Sequence, residues 1–494
     1  MATTPTEKYD WEDKERVDVE LVEQGGYKDR WTRRLLKIGV EARGIQPVPD
    51  HERTDTQYSK IFFLWFAWNV NILTFSAGTL GPVAFGLGLR DTCLTILFFN
   101  LLCCAFPAYF CTWGPKLGMR QMIASRYSFG YYGVIIPCIF NLIGMVAFSI
   151  LNSIIAGQAL ASVTTNLSWA VGIVIITVIS LLVSFCGYNV LNWYEKLSWI
   201  PVLITFIIAL GVGGKHLSNP PPAEPATASA VLSFASTLAG FAITFSGLSS
   251  DFTTYYRSDV SGWKIFTYSY LGLLIPIVTL QCLGAAVVVN VPFVPAWEEG
   301  YAGGTDVGGL LEAMLHPTKG FGKFLTVLLS LSVAGNIAAT FYSISLNVQI
   351  FIPFLVIVPR YVFSIVATAI VIPLSIVGAH RFYDTLLNFL GLIGYWASAY
   401  AAIILIEHLL FRKNNPANYD EKLWNMPKRL PTGLAAVGAG LCSVALIVPS
   451  IDQVWFVGPF AKTAGDIGFE VAFGVSAVMY VPFRYLEIRI RGHV

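Results

Sequence analysis

Phe148 and Asn152 stand four residues apart in an apolar run, and Asn336 and Thr340 repeat that spacing in a second one. On a helix, positions i and i+4 share a face. The first pair therefore sets a carboxamide beside an aromatic ring, and the second sets a hydroxyl beside a carboxamide. These groups suit a small, flat, polar ring: the aromatic face stacks on it, and neutral amides and hydroxyls match its donors and acceptors without a buried charge. Tyr342, Ser343 and Asn347 continue the polar side of the second run. Each pair also has a plainer reading, Phe148 as a lipid-facing filler and Asn336 with Thr340 as hydrogen-bonding glue between helices. A polar side chain is costly against lipid, which favours an interior position for Asn152.

Ionisable residues inside or at the rims of apolar runs are Glu195, Asp251, Asp384, Glu407 and Glu470. Proton coupling needs a carboxylate that takes up a proton at the working pH, and desolvation raises a carboxylate toward that range. Glu195 and Asp251 are the candidates, the alternative being interfacial pairing of Glu195 with Lys196 and of Asp251 with Arg257. The six histidines are scattered, and HExxH, GxSxG and Walker-type phosphate loops are absent from the sequence. This argues against an enzyme, a metal site and an ATP-driven pump. The eight cysteines form no CxxC-like pair and read as small apolar packing residues.

The elements that must position these side chains are membrane helices. Of the 494 residues 55% are hydrophobic and 13% charged, about half the charged share of a soluble protein. The net charge of +2 gives no reason to expect a nucleic-acid partner. Apolar segments fall near 61–81, 92–113, 134–161, 169–186, 194–212, 229–249, 264–289, 324–350, 359–377, 383–409, 432–449 and 467–484, most of them close to the ~20 residues that cross a bilayer. The expected fold is an all-α membrane protein of about twelve transmembrane helices. Residues 1–60 lack the apolar core of a signal peptide and read as a tail with partial helix around Val17 to Ile38. Loops on the side of the termini carry most of the Lys and Arg, so both termini are expected in the cytosol. Nothing in the sequence indicates an oligomeric partner.

Two spans are interrupted. Span one holds Asn69, Asn71, Thr74, Ser76, Gly78, Thr79 and Gly81-Pro82, and span six, five spans later, holds Gly240, Thr244, Ser246, Gly247, Ser249, Ser250 and Asp251. Irregular backbone at membrane depth survives only where protein or a water-filled cavity satisfies it, so paired breaks point to a binding site between inverted repeats. The expected organisation is a 1–60 tail, repeats at 61–212 and 229–410 joined by a Pro-rich linker at 213–228, two further helices in 411–485, and a tail at 486–494. The 290–323 stretch reads as a connector outside the bundle.

The run Gly114-Pro115-Lys116-Leu117-Gly118-Met119-Arg120-Gln121 through Arg126-Tyr127-Ser128-Phe129-Gly130 resembles the loop signature of the fungal purine–cytosine permeases, members of the nucleobase–cation symporters. Asn189-Trp193-Tyr194-Glu195-Lys196 and Ser250-Asp251-Phe252-Thr253-Thr254-Tyr255-Tyr256 support it, and the similarity runs from about Glu15 to Arg484. The resemblance implies a 5+5 inverted repeat with broken helices one and six, two extra C-terminal helices, and alternating access around a central site. It places Phe148 and Asn152 where the family has a Trp and an amide, and Phe245 where it has a second Trp. Asn336, Ile337 and Thr340 match an Asn-Asn-x-x-Asn pattern, Thr74 a hydroxyl position, and Glu195 a functional carboxylate.

The expected function is proton-coupled uptake of a nucleobase-like heterocycle across the plasma membrane, with no cofactor beyond the co-transported proton. Sodium-coupled relatives carry hydroxyl ligands where this chain has Ala334 and Gly335, which favours protons. Phe in place of Trp keeps a stacking face and loses an N–H, and Thr340 in place of an amide removes a donor–acceptor pair. A site built on hydrogen bonds rejects ligands that leave it unpaired, so a pyridoxine-like vitamin is the alternative cargo. A non-transporting sensor on the same fold is the alternative of a different class.

Overall fold

The structure is a computed structural model that describes residues 44–492 apart from 186, 353, 354, 356, 357 and 359; for 187–195 and 360 the backbone alone is described. The tail helix expected around Val17 to Ile38 lies outside the described residues. Among the described residues, eight stretches are long and apolar enough to cross a bilayer, nine when the bent pair Tyr58–Asn69 and Ile72–Phe85 is taken as one. One stretch, Tyr361–Phe411, contains two passes, Arg360–Gly378 and Phe382–Ile406, parted by the short turn Ala379–Arg381. With the shorter apolar helices Trp169–Phe185 and Leu434–Ser450, the expected twelve passes are present. Helix is the form they take because lipid offers no partner to a backbone N–H or C=O.

Span one is Tyr58–Asn69 plus Ile72–Phe85, bent by 56°. Its break lies at Asn69–Asn71 and not at the glycines or at Gly81-Pro82, and Pro82 sits inside the second half. Asn71 caps that half, its side chain accepting from the Thr74 N–H. This is the acceptor role that makes Asn a helix start. Span six runs as an α-helix over Ala228–Ile243, tightens to a 3-10 turn at Thr244–Gly247 and leaves helical geometry at Leu248. Span three (Ile135–Ser162) packs against spans four, eight, nine and ten, and span ten (Phe382–Ile406) packs against six and twelve. Span eight is Gly320–Leu331 and Ala334–Phe351. The two C-terminal helices, Leu434–Ser450 and Gly468–Arg491, pair with one another.

Glu407, at the end of span ten, is fully buried and accepts from Arg412 Nε at 3.0 Å, Arg484 Nε at 2.9 Å and the Tyr480 hydroxyl at 2.9 Å. A charge buried this deeply persists only when paired. The cluster locks span twelve to span ten.

The 290–323 stretch is not a connector outside the bundle. It folds into Pro295–Tyr301 and Val307–Leu315, whose Trp297, Val307, Leu310, Leu311 and Met314 are buried. A Cβ on Gly308 would fall 2.1 Å from the Ala159 nitrogen, so this glycine lets the second short helix sit on span three.

Two predictions follow from this packing. A Cβ on Gly240 of span six would lie 1.9 Å from the Leu390 carbonyl oxygen of span ten. Gly240→Ala is expected to destabilise the protein by about 1–3 kcal/mol, read as a lower thermal midpoint in detergent. Asp306 caps Val307–Leu315 by accepting the Gly309 N–H at 2.7 Å, and burial pushes its carboxyl up from 3.8 to about 6. The folded carboxyl thus keeps its proton to higher pH than the unfolded one. Docking of this helix is strongest below about pH 4 and weakens as pH rises through about 6. Hydrogen-exchange protection factors across Val307–Leu315 should fall over that window, and Asp306→Asn should flatten the fall.

Candidate functional site

Between the breaks of spans one and six and the faces of spans three, eight and ten lies a cavity with an empty volume of about 580 Å³, its mouth included. Five carboxamides line it, Asn69, Asn71, Asn141, Asn152 and Asn336, and among the described residues no ionisable side chain does. The polar groups it offers are neutral.

Phe148 and Phe245 face one another across the cavity with ring centroids 6.4 Å apart and planes within 16° of parallel. A flat ring inserted between them needs about 7 Å, two carbon contacts of about 3.5 Å each. Both rings are held from the side. Phe148 meets Phe241 at 6.0 Å and 83° and Phe389 at 5.9 Å and 89°. Phe245 meets Trp65 at 5.3 Å and 64°. At 6.4 Å the two facing Phe rings stand slightly closer than an inserted ring needs, so they must part by about half an ångström to admit one between them.

Beside it runs a directional chain of amides. The break in span one leaves the Trp68 carbonyl to accept from the side chains of Asn71 and Asn336, the latter at 3.2 Å. Donating to a carbonyl fixes which way round the Asn336 amide sits. Its oxygen then accepts from Asn152 Nδ2 at 3.3 Å, and that nitrogen also donates to the Phe148 carbonyl at 2.9 Å. Both Asn152 donor hydrogens are used. Asn152 Oδ1 is left buried in the cavity wall without a partner. The Thr340 hydroxyl donates to the Asn336 carbonyl at 2.7 Å, which leaves its oxygen as an acceptor.

Phe148, Asn152, Phe245, Asn336 and Thr340 are therefore brought together. Thr74 is not among the lining residues; it is buried, with its N–H and hydroxyl on Asn71 Oδ1 at 2.9 and 3.3 Å. Asp251 also lies outside the cavity lining. Its Oδ1 accepts the Gln121 N–H at 2.7 Å, and its backbone carbonyl accepts from Arg120 Nη1 at 2.7 Å. Arg257 pairs with Asp259 at 2.6 Å and not with Asp251. Glu195 sits on the backbone of Gly187–Gly213, and its side chain lies outside the described residues. Asn141 and Trp396 are lining residues that sequence reasoning missed. Asn141 was legible, because it stands two helical turns before Phe148 on the same face. Trp396 was not, because a lone Trp in an apolar run reads as a membrane-anchoring ring.

Residues 47–472 match the sequence model of the permeases for cytosine/purines, uracil, thiamine and allantoin. The chain belongs to this permease family. It is 36% identical to a purine-cytosine permease of Emericella nidulans over 93% of this chain and 91% of that one. It is 33% identical to a purine-cytosine permease of Saccharomyces cerevisiae over 93% and 88%, and 28% identical to a vitamin B6 transporter of the same yeast over 93% and 90%. In fold the permease is similar to Mhp1, a nucleobase-cation-symport-1 family transporter solved closed with bromovinylhydantoin bound. The TM-score is 0.67 at 15% identity, covering 90% of this chain and 96% of that one. The permease is thus a multi-pass, all-α membrane protein of a transporter family and not an enzyme.

Asn71 both caps the second half of span one and donates to the freed Trp68 carbonyl. Asn71→Ala is expected to cost on the order of 2 kcal/mol, a lost cap plus a less satisfied buried carbonyl, measured as a drop in the thermal midpoint of the purified permease.

Proposed function

We propose that this permease carries a purine, cytosine or closely related flat heterocycle across the plasma membrane by proton-coupled uptake, with both termini in the cytosol. The observation that carries the reading is the amide chain that ends on Asn152 Oδ1 beside the Phe148–Phe245 slot. A buried acceptor calls for an N–H donor, and a parallel aromatic slot calls for a flat ring. Nucleobases offer both. Similarity of more than 30% to two purine-cytosine permeases supports the cargo class.

A second reading keeps the fold and changes the cargo. A pyridoxine-like ring also stacks, and 28% identity to a vitamin B6 transporter favours keeping it in view. Coupling is assigned to protons through Glu195 or Asp251, supported by the absence of hydroxyls at Ala334 and Gly335. Thr74 acts on the site through Asn71, whose oxygen it engages.

Uptake of radiolabelled adenine, cytosine and pyridoxine by a transport-deficient yeast expressing the permease decides the cargo. Accumulation against a gradient that collapses with a protonophore is expected for a nucleobase. Surface-localised protein that takes up none of the three would sink the cargo class, and binding without flux would mark a sensor. Asn152→Ala is expected to lower uptake by at least about tenfold, the cost of a hydrogen bond that leaves the ligand's donor unpaired, with surface protein unchanged. For the coupling carboxylates, Glu195→Gln and Asp251→Asn are compared for exchange and net accumulation. The variant that keeps exchange and loses accumulation identifies the proton carrier.

A further inference from the structure

The amide chain leaves one buried acceptor in the cavity wall, and span ten leaves one buried donor there. Trp396 lines the cavity, and its indole Nε1 is buried without a hydrogen-bond partner. Among the described residues, Asn152 Oδ1 and Trp396 Nε1 are the two side-chain atoms of the lining in that state. An indole N–H donates and does nothing else, and a buried donor with no acceptor disfavours the fold that contains it unless something in use fills the role.

Packing alone holds this indole. It stacks on Phe140 at 6.0 Å and 19°, and it meets Tyr400 at 5.9 Å and 54°. Tyr400 is itself fixed by hydrogen bonds to Ser125 at 2.6 Å and Gln121 at 3.3 Å. Two turns earlier on the same helix, Phe389 packs edge-on against Phe148 of the slot. Span ten therefore supplies a support for the stacking slot and, lower down, a ring nitrogen whose plane is set by its neighbours.

We propose that Trp396 is a substrate-contacting specificity residue whose Nε1–H donates to a ring-nitrogen or carbonyl acceptor of the heterocycle. The proposal rests on the reading of the site as a carrier of flat heterocycles, since the ligand must bear an acceptor. Adenine and cytosine meet that requirement. A ring with donors alone leaves the indole unpaired and is disfavoured for that reason.

The test compares Trp396→Phe, which keeps a ring and removes the N–H, with Trp396→His. In His the ring atom two bonds from the Cβ attachment is again a nitrogen, so Nε2 takes the place of the indole Nε1. Inhibition constants against radiolabelled nucleobase uptake are measured for adenine and its 1-deaza, 3-deaza and 7-deaza analogues, each of which replaces an acceptor nitrogen by C–H. Cytosine and 3-deazacytosine are run in parallel. Surface protein is quantified, and ligand-induced thermal stabilisation of purified permease supplies the constants for any variant that no longer transports.

Trp396→Phe is expected to weaken the parent nucleobase about tenfold. One deaza analogue should lose the same factor on the wild-type permease and nothing further on the variant, the signature of a shared contact. Trp396→His should recover most of the lost affinity. An equal loss for parent and every analogue, or no loss at all, overturns the contact while leaving the cargo class standing. Wild-type permease inhibited by neither nucleobase overturns the cargo class and the contact with it.

Discussion

A backbone carbonyl released at membrane depth has to be bonded by something, and in this permease the Trp68 carbonyl sets the terms for the whole site. Lipid supplies no donor, so the break in span one is tolerable only where side chains reach it. Asn71 and Asn336 do so. Asn71 also starts the second half of the span, so the residue that relieves the break is the one that ends it. Asn336, by spending its donor on Trp68, turns its oxygen toward Asn152. The polarity of the cavity wall is thus inherited from a backbone group on a neighbouring helix. A continuous span one would leave both amides free to turn and the cavity without a defined acceptor.

The loop signature after span two serves the second interruption, where the chain leaves span six. Gln121 donates its backbone N–H to Asp251 Oδ1 and its side-chain N–H to the Tyr400 hydroxyl, and its side-chain oxygen accepts the Ser250 N–H at 3.2 Å. Arg120 donates to the Asp251 carbonyl, and Lys116 to the Ser258 carbonyl at 2.7 Å. The Gln121 and Arg120 bonds satisfy backbone groups of a second 3-10 turn, Ser249–Phe252, that follows span six, where backbone groups again lose helical partners, and the Lys116 bond holds the chain beyond it. The specificity of the motif is therefore that of a brace. Its Tyr400 contact carries the brace to the indole on the same face of span ten.

How much of this the sequence carried depended on the kind of information needed. Apolar length was enough for the spans, because lipid crossing is a property of a segment by itself. The paired interruption of spans one and six was legible from composition, yet its position was not. Gly78, Gly81 and Pro82 looked like breakers, but helix tolerates them where neighbours pack closely, and the start signal at Asn71 decides the geometry. Phe148 with Asn152 and Asn336 with Thr340 were legible because i, i+4 spacing is local. Thr74 was drawn in by resemblance, and its burial on Asn71 Oδ1 depends on a contact the break creates. The short helices within 290–323 were missed because their apolar faces make sense only against span three.

A cavity that sets neutral amides beside a pair of Phe rings can divide the work of recognition. Stacking depends on a flat face that many rings possess, and it admits a class of ligand more than a member of it. Discrimination within that class falls to groups that lose more when unpaired than they gain when paired. A ligand without an N–H opposite Asn152 Oδ1 leaves a buried acceptor unsatisfied, at a cost of about 1–3 kcal/mol, which is roughly 5- to 150-fold in affinity. A charged site would reach similar selectivity only by burying an ion, and the ion would then have to be neutralised each time the empty carrier reorients. Amides avoid that step. Their dipoles need no counter-ion, so the lining itself can stay neutral with and without cargo.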